Sequence, residues 1–315
     1  MQEPYSNKHF NDSDDQIDFQ EILYALWKEK LIIVSITAFV TIVGVIYSLF
    51  LPNIYESKAI LAPVNSSSSI SGALRGYTGI AGLAGISIPS GVDDGNTPKA
   101  IEKISTLSFF KNSILKNIHL PDLMAVKSWD KSTNTLIYDE TIYQIKTNAW
   151  VKGNSYAQKH KPTAQDSFRK FTAEYLSISE DKNSGFITLS IKHQSPFIAK
   201  QWVELVVNEI NTFYRLKDKS ESVRAVNYLN KQISMTGLSE IKQVIADLLQ
   251  EETKKLTLIE ANQFYVLDYI DPPAVMERKS EPQRSLISIL SAILGGMLSI
   301  FLVLMKHYFF QQKNL

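Results

Sequence analysis

The 315-residue sequence contains no cysteine. Disulfides, thiol nucleophiles and cysteine-ligated zinc are excluded together by that one absence. A surplus of charge is missing too: 33 Lys and Arg face 32 Asp and Glu, a net charge of +1. Nucleic-acid binders carry a strong basic excess to neutralise phosphates, so no nucleic-acid partner is expected. The five histidines, His9, His119, His160, His193 and His307, include no pair at metal-ligand spacing and no HExxH. Neither a GxSxG turn nor a Walker loop occurs. Gly76, Gly79, Gly82 and Gly85 recur every third residue, but the Gly-Lys-Ser/Thr that would let them cradle a phosphate does not follow. No catalytic residue, metal or cofactor is therefore expected. The glycines read as a flexible or closely packed apolar segment within the Ser- and Gly-rich stretch Asn65 to Gly95.

Charge is also missing locally, and there its absence is informative. Leu31 to Leu51 (LIIVSITAFVTIVGVIYSLFL) is an uncharged run of 21 residues, and Leu286 to Met305 (LISILSAILGGMLSIFLVLM) one of 20. At 1.5 Å per residue each helix reaches about 30 Å, the thickness of a bilayer core. A buried core helix is usually shorter and keeps a polar face, and these keep none. A cleaved signal peptide fits the first run poorly. Its apolar stretch is too long, SLFLPN lacks small residues for cleavage, and the preceding 30 residues carry seven acids against three bases. Two retained spans put both ends on one side of the lipid bilayer. Lys28 and Lys30 before the first span, with Lys306 and Lys313 after the second, place those ends in the cytoplasm. Neither span contains a charge, which excludes a proton relay or ion pathway through them. Gly44 in the first span, and Gly295 with Gly296 in the second, permit close helix packing.

The expected organisation is a cytoplasmic tail over 1–30, a span over 31–51, a periplasmic domain over 52–285, a span over 286–305 and a short tail over 306–315. Composition suits a folded domain, with 44% apolar and 21% charged residues. Tyr55 to Val64 reads as a strand. Thr97-Pro98 opens a helix carried by Ile101, Ile104, Phe109 and Ile114, ending near Asn117. Lys127 to Thr172 shows weak periodicity and is expected to mix short helices and loops. Gly185 to Lys192 (GFITLSIK) alternates as a half-buried strand. Ser195-Pro196 starts a very long helix, about 196–255, its apolar stripe running from Ile198 and Trp202 through Ile210, Leu229 and Ile245 to Leu248. Only Gly237 threatens it, at a cost of about 1 kcal/mol. Phe264 to Ile270 is a further strand, closed by Asp271-Pro272-Pro273. The strands next to the two spans are natural partners. The fold class is therefore α+β, with two transmembrane helices flanking a membrane-proximal mixed sheet and a very long helix. On that helix Arg215, Lys217, Lys219 and Arg224 form a basic stretch. It reads as a solvated or subunit-facing surface, with contact to an anionic glycan as the sharper alternative. Glu251-Glu252 before Lys254-Lys255 reads as ion pairing along a solvated helix face.

Taken in order, several segments resemble the Wzz-type chain-length determinants, the polysaccharide co-polymerases of bacterial inner membranes. They are DDQIDFQEILYALWKEK (14–30), the first span, LPNIYESKAILAP (51–63), GIAGLAGISI (79–88), SGFITLSIKHQSPFIAKQWVELVVNEIN (184–211) and EETKKLTLIEANQFYVLDYIDPPAVMERKSEPQRSL (251–286). The resemblance implies a proline segment entering the second span. Here Pro272, Pro273 and Pro282 stand, with Lys279 where another proline is typical, so that role passes to Pro273 and Pro282 alone. It also implies a homo-oligomer that works with a membrane polysaccharide polymerase on lipid-linked or growing polysaccharide and sets its chain length without catalysis. Larger relatives carry a cytoplasmic tyrosine kinase after the second span, and ten residues cannot hold one. Two alternatives remain open: an export partner of a separate kinase or transporter, and an extracytoplasmic sensor domain.

Overall fold

The computed structural model describes residues 19–64, 96–151 and 161–311. The Gly-rich segment, with Gly76 to Gly85, lies outside them, as do His9 and His160. The chain forms two compact units, one made of residues 1–51 with 282–315, the other of Pro52–Glu281.

The first unit is helical. Helix α1 (Phe19–Lys28) precedes α2 (Lys30–Phe50), and the chain returns in the last helix, Arg284–Gln311. Two stretches, Lys30–Phe50 and Arg284–Lys306, are long and apolar enough to cross a membrane. Their side chains are mostly exposed, with Phe39, Leu49, Phe301 and Met297 more than half so. A core helix of a soluble domain would bury these groups.

The second unit is built on a four-stranded sheet. Strand β1 (Tyr55–Pro63) is followed by helices α3 (Asn96–Ile104), α4 (Leu107–Phe109, continued by a π-helical turn, Phe110–Ile114) and α5 (Leu120–Met124). The first of these covers the start expected at Thr97-Pro98. The helix is interrupted at Ser105, and Thr106 caps its continuation by accepting the Phe109 N–H. Two short hairpins come next, β2 (Val126–Asp130) with β3 (Thr135–Tyr138) and β4 (Tyr143–Gln144) with β5 (Ala149–Trp150). Short helices and loops were expected here. The strands are too short to show alternation, and Asn134 and Asn148, with φ of 53° and 50°, make the turns. Helix α6 (Ala164–Lys170) and a π turn (Phe171–Tyr175) lead into β6 (Leu176–Glu180) and β7 (Ile187–His193). Then come α7 (Pro196–Met235), α8 (Ser239–Ala261), β8 (Leu267–Asp271) and, beyond the unit, the membrane helix α9 (Arg284–Gln311).

Sheet order is β6-β7-β1-β8. All three pairings are antiparallel, rather than mixed as expected. The strands flanking the spans do pair: Ile60 to Pro63 lie opposite Asp271 to Leu267, with a bulge after Ile60. Alternation then decides which face is buried. Ser57, Ala59 and Leu61 on β1, with Ile187, Leu189 and Ile191 on β7, turn toward α7, which replies with Trp202, Val203, Val206, Val207 and Ile210. Phe110, Phe171 and Trp202 extend this core, their rings 5.2 Å and 6.0 Å apart in sequence.

The helix expected over 196–255 is two helices. Residues 236–238 leave helical conformation, with Thr236 at φ −88°, ψ 127° and Leu238 at φ −86°, ψ 126°. The chain reverses there, and α8 packs back along α7. Gly237, lacking a Cβ, favours the break, and α8 buries Ile245 and Ile259 on its way back, while Ile241 and Leu248 of the expected stripe stay exposed. The 40-residue α7 remains a very long helix.

Candidate assembly and membrane-packing sites

Helices α2 and α9 run antiparallel, and the residues along their seam are small or hydroxylated. A Cβ placed on Gly44 would fall 2.6 Å from the Ser291 Cβ, and one on Gly295 only 3.0 Å from the Val40 Cβ. Real contacts are never or rarely so short, so both glycines are there to let backbones approach. Thr37 and Ser299 hydroxyls meet at 3.3 Å across the seam. Ser299 donates its proton to Gly296 O at 2.8 Å, so Thr37 is the donor of that pair. At one end Lys306 binds Glu29 at 2.9 Å. Gly296 has nothing within 4 Å of its would-be Cβ and points away from α2. Of the three span glycines, two belong to the hairpin and one does not.

Pro273 is buried two residues beyond β8, in the Pro272-Pro273 pair whose missing N–H groups cannot continue the ladder. Pro282 stands two residues before Arg284 opens α9. Pro273 belongs to the second unit and Pro282 to the first.

The basic stretch on α7 works inside the chain. Arg215 donates to Asn262 O at 2.8 Å and also to Gln263 O, satisfying carbonyls at the end of α8. Lys219 pairs with Glu260 at 2.5 Å. Lys217 reaches Glu221 and lies over the Tyr214 ring, while Arg224 donates to Ser220 Oγ at 2.8 Å. Arg215 and Lys219 thus clasp the returning chain, and the other two stay on their own helix.

One residue missing from the sequence reading completes that clasp. Asn211 is buried among Val207, Ile210 and Tyr214. Its Oδ1 accepts the N–H groups of Tyr265, Val266 and Leu267 at 2.9, 2.7 and 3.1 Å. Its Nδ2 donates to Leu267 O and Val207 O, each at 2.9 Å. All its bonding capacity is used, and three successive backbone donors are satisfied at the entry to β8. Asp218, two turns further on, accepts the Tyr265 hydroxyl at 2.6 Å. Asn211, Arg215, Asp218 and Lys219 form one stripe at helical spacing. The sign in the sequence was an Asn inside an otherwise apolar stripe.

The titratable groups gathered elsewhere also hold elements together. His193 Nδ1 accepts the Ser195 N–H at 2.9 Å, so its Nε2–H is the donor to Asp122 O at 3.0 Å. Burial against Trp202 and Tyr175 pushes this imidazole down to about 4. Asp122 in turn binds His119 Nδ1 at 2.9 Å and accepts the Tyr138 hydroxyl at 2.6 Å. Burial, and then Asp122, lift that phenol far above its ordinary range. Tyr269 is pushed up to about 12, first by burial. Among the described residues no three His, Asp or Glu side chains are grouped to hold a metal ion.

Residues 15–101 match the Wzz family, described as "Chain length determinant protein". The matched segment runs through α1, the first apolar helix and β1, where the sequence resemblance to Wzz-type chain-length determinants began. No curated protein matches the chain. Two solved structures are similar. One is a "full-length bacterial polysaccharide co-polymerase", with 14% identity, a TM-score of 0.41, and coverage of 93% of this chain and 99% of the other. The second is a "Fragment of WzzB, Polysaccharide Co-polymerase from Salmonella Typhimurium", with 12% identity, a TM-score of 0.30, and coverage of 73% and 100%.

Proposed function

We propose that this chain regulates the chain length of a surface polysaccharide, O-antigen of lipopolysaccharide or a related glycan, as a non-enzymatic scaffold in the bacterial inner membrane. The match of residues 15–101 to the chain length determinant family carries this reading. The two apolar helices supply the membrane anchors. Lys28, Lys30 and Lys306 at their outer ends orient both termini to the cytoplasm and Pro52–Glu281 to the periplasm. The scaffold is a homo-oligomer standing beside a membrane polysaccharide polymerase, in contact with lipid-linked or growing glycan. Oligomerisation is supported by the α7–α8 hairpin, which leaves Tyr228, Met235, Leu238, Val244 and Leu248 exposed. Exposed apolar side chains in that number are what subunits cover.

The test is genetic. Deleting the gene and separating the surface polysaccharide by size should replace a modal length distribution with an unregulated one, restored by the intact gene. An unchanged distribution in lipopolysaccharide, capsule and secreted polysaccharide alike refutes the reading. Co-purification with a kinase or transporter, and no polymerase, would favour export instead. A phosphatase reporter inserted in the exposed turn at Asn183 should be active only outside the cytoplasm.

A further inference from the structure

The sheet end at residues 53–57 carries an apolar rim. The Tyr55 ring meets Trp129 edge-on at 5.5 Å, and Trp129 leans on Phe197 at 6.1 Å. Phe197, first turn of α7, is 47% exposed. The Trp129 indole N–H is satisfied by Asn134 Oδ1 at 3.0 Å, so the ring presents its apolar body. Beside it the chain leaving β8 is pinned twice to the same strand end. Ser57 Oγ donates to Ala274 O at 2.9 Å, and beyond the gap Ser280 N donates to Ile54 O at 2.8 Å. Between the pins residues 275–278 stand out from the sheet. Val275 and Met276 are 37% and 45% exposed, followed by exposed Glu277 and Arg278.

Chain length limits how far this rim can lie from the two apolar runs. Tyr55 is four residues beyond the apolar run ending at Leu51, and Glu281 three before Arg284, where the second membrane helix starts. Extended chain covers at most about 3.6 Å per residue, so the two tethers reach roughly 14 Å and 11 Å. A headgroup layer is about 5–8 Å deep on each side of the hydrocarbon. Aromatic rings with a satisfied polar atom, a flexible Met and a basic neighbour are the groups that favour that layer. We propose that Trp129, Phe197, Val275 and Met276, flanked by Arg278, seat in the lipid headgroup region. The folded unit is then held on the bilayer by its own surface as well as by two tethers. This rests on reading the two apolar helices as membrane spans.

The cysteine-free sequence makes the test direct. Single substitutions Phe197→Cys, Met276→Cys, Phe39→Cys and Lys242→Cys in the full chain are labelled with a nitroxide and reconstituted in nanodiscs. Each is checked for unchanged circular dichroism. Collision with oxygen, which concentrates in lipid, is compared with collision with a water-soluble nickel chelate. Positions 197 and 276 should favour oxygen several-fold over Lys242, a solvent-facing position on α8, while remaining below Phe39. Values at 197 and 276 equal to those at Lys242 overturn the proposal. Exclusion of both reagents from 197 and 276 also overturns it, since a protein neighbour then covers the rim. A Phe39 label open to the chelate overturns the membrane reading itself, and the proposal with it. Because Met276 lies on an exposed loop, its substitution keeps the test valid where Phe197→Cys disturbs packing.

Discussion

Replacing Asn211 by Leu should be among the most damaging single changes in the folded unit. The two side chains are similar in size, so the effect isolates hydrogen bonding. Leucine leaves the N–H groups of Val266 and Leu267, both buried, and of the half-buried Tyr265 without their shared acceptor. It also removes the donor to Leu267 O. Each buried group left unsatisfied costs about 1–3 kcal/mol. One oxygen shared among three donors gives less than three full bonds, so the expected loss is about 3–6 kcal/mol. Asn211→Asp separates the two halves of the residue. A carboxylate still accepts from the three N–H groups, but it faces Leu267 O with no proton to donate, and the loss should be intermediate. Asn227→Leu, on the exposed side of the same helix, should shift stability by less than about 0.5 kcal/mol. The assay is denaturant unfolding of the full chain in detergent, followed by circular dichroism. A second readout is hydrogen exchange at residues 265–267, which should accelerate in Asn211→Leu. If Asn211→Leu lies within about 1 kcal/mol of the parent, the clasp is not holding β8 and the reasoning fails.

Further outcomes follow from other contacts. His193 has its folded pKa depressed below 6.5, so its stabilisation is complete above pH 6.5 and is lost as pH falls toward about 4, by about 3 kcal/mol in all. Denaturant midpoints at pH 7 and pH 4.5 should therefore converge partly in His193→Gln, and an identical pH dependence would contradict the buried neutral ring. Gly44→Leu or Gly295→Leu should force α2 and α9 apart, whereas Gly296→Leu should not. A disulfide between paired cysteines at Thr37 and Ser299 should form in the parent and in Gly296→Leu but not in the other two. Lys219→Ala, which removes an exposed pair with Glu260, should cost no more than about 1 kcal/mol, a limit that thermal melts can check.

Much of this fold was legible in the sequence, and the failures share a cause. The spans announce themselves by an unbroken uncharged length, and the strands at Tyr55 and Ile187 by the alternation that one-sided burial imposes. The helical hairpin does not. A rod with a stripe from Ile198 to Leu248 and two helices folded back on each other show much the same periodicity, and only the structure reveals that Ile245 is buried while Ile241 and Leu248 stay exposed. Only Thr236-Gly237 marks the difference, at a cost of about 1 kcal/mol that tertiary packing decides. The hairpins at 126–150 hide for the opposite reason, since strands of two to five residues have no period to show. Asn134 and Asn148 were the available signals. The basic stretch was visible as a cluster, but the partners of Arg215 and Lys219 lie some 40 residues on, and no local pattern names them.

The position of β1 in its sheet sets a clock. Its register partners arrive late: Ala59 pairs with Leu189, and Ile60 with Asp271. A strand at the centre of a sheet has no edge to rest on until both neighbours exist. With synthesis at about 5–20 residues per second, β1 waits roughly ten seconds for the first of them and longer for the second. During that wait the first apolar helix has already left the ribosome, while the strand behind it offers unpaired N–H and C=O groups on both sides. Lys58 and Glu56, which alternate with its buried residues, make that strand a poor template for neighbours of its own kind until β7 claims it.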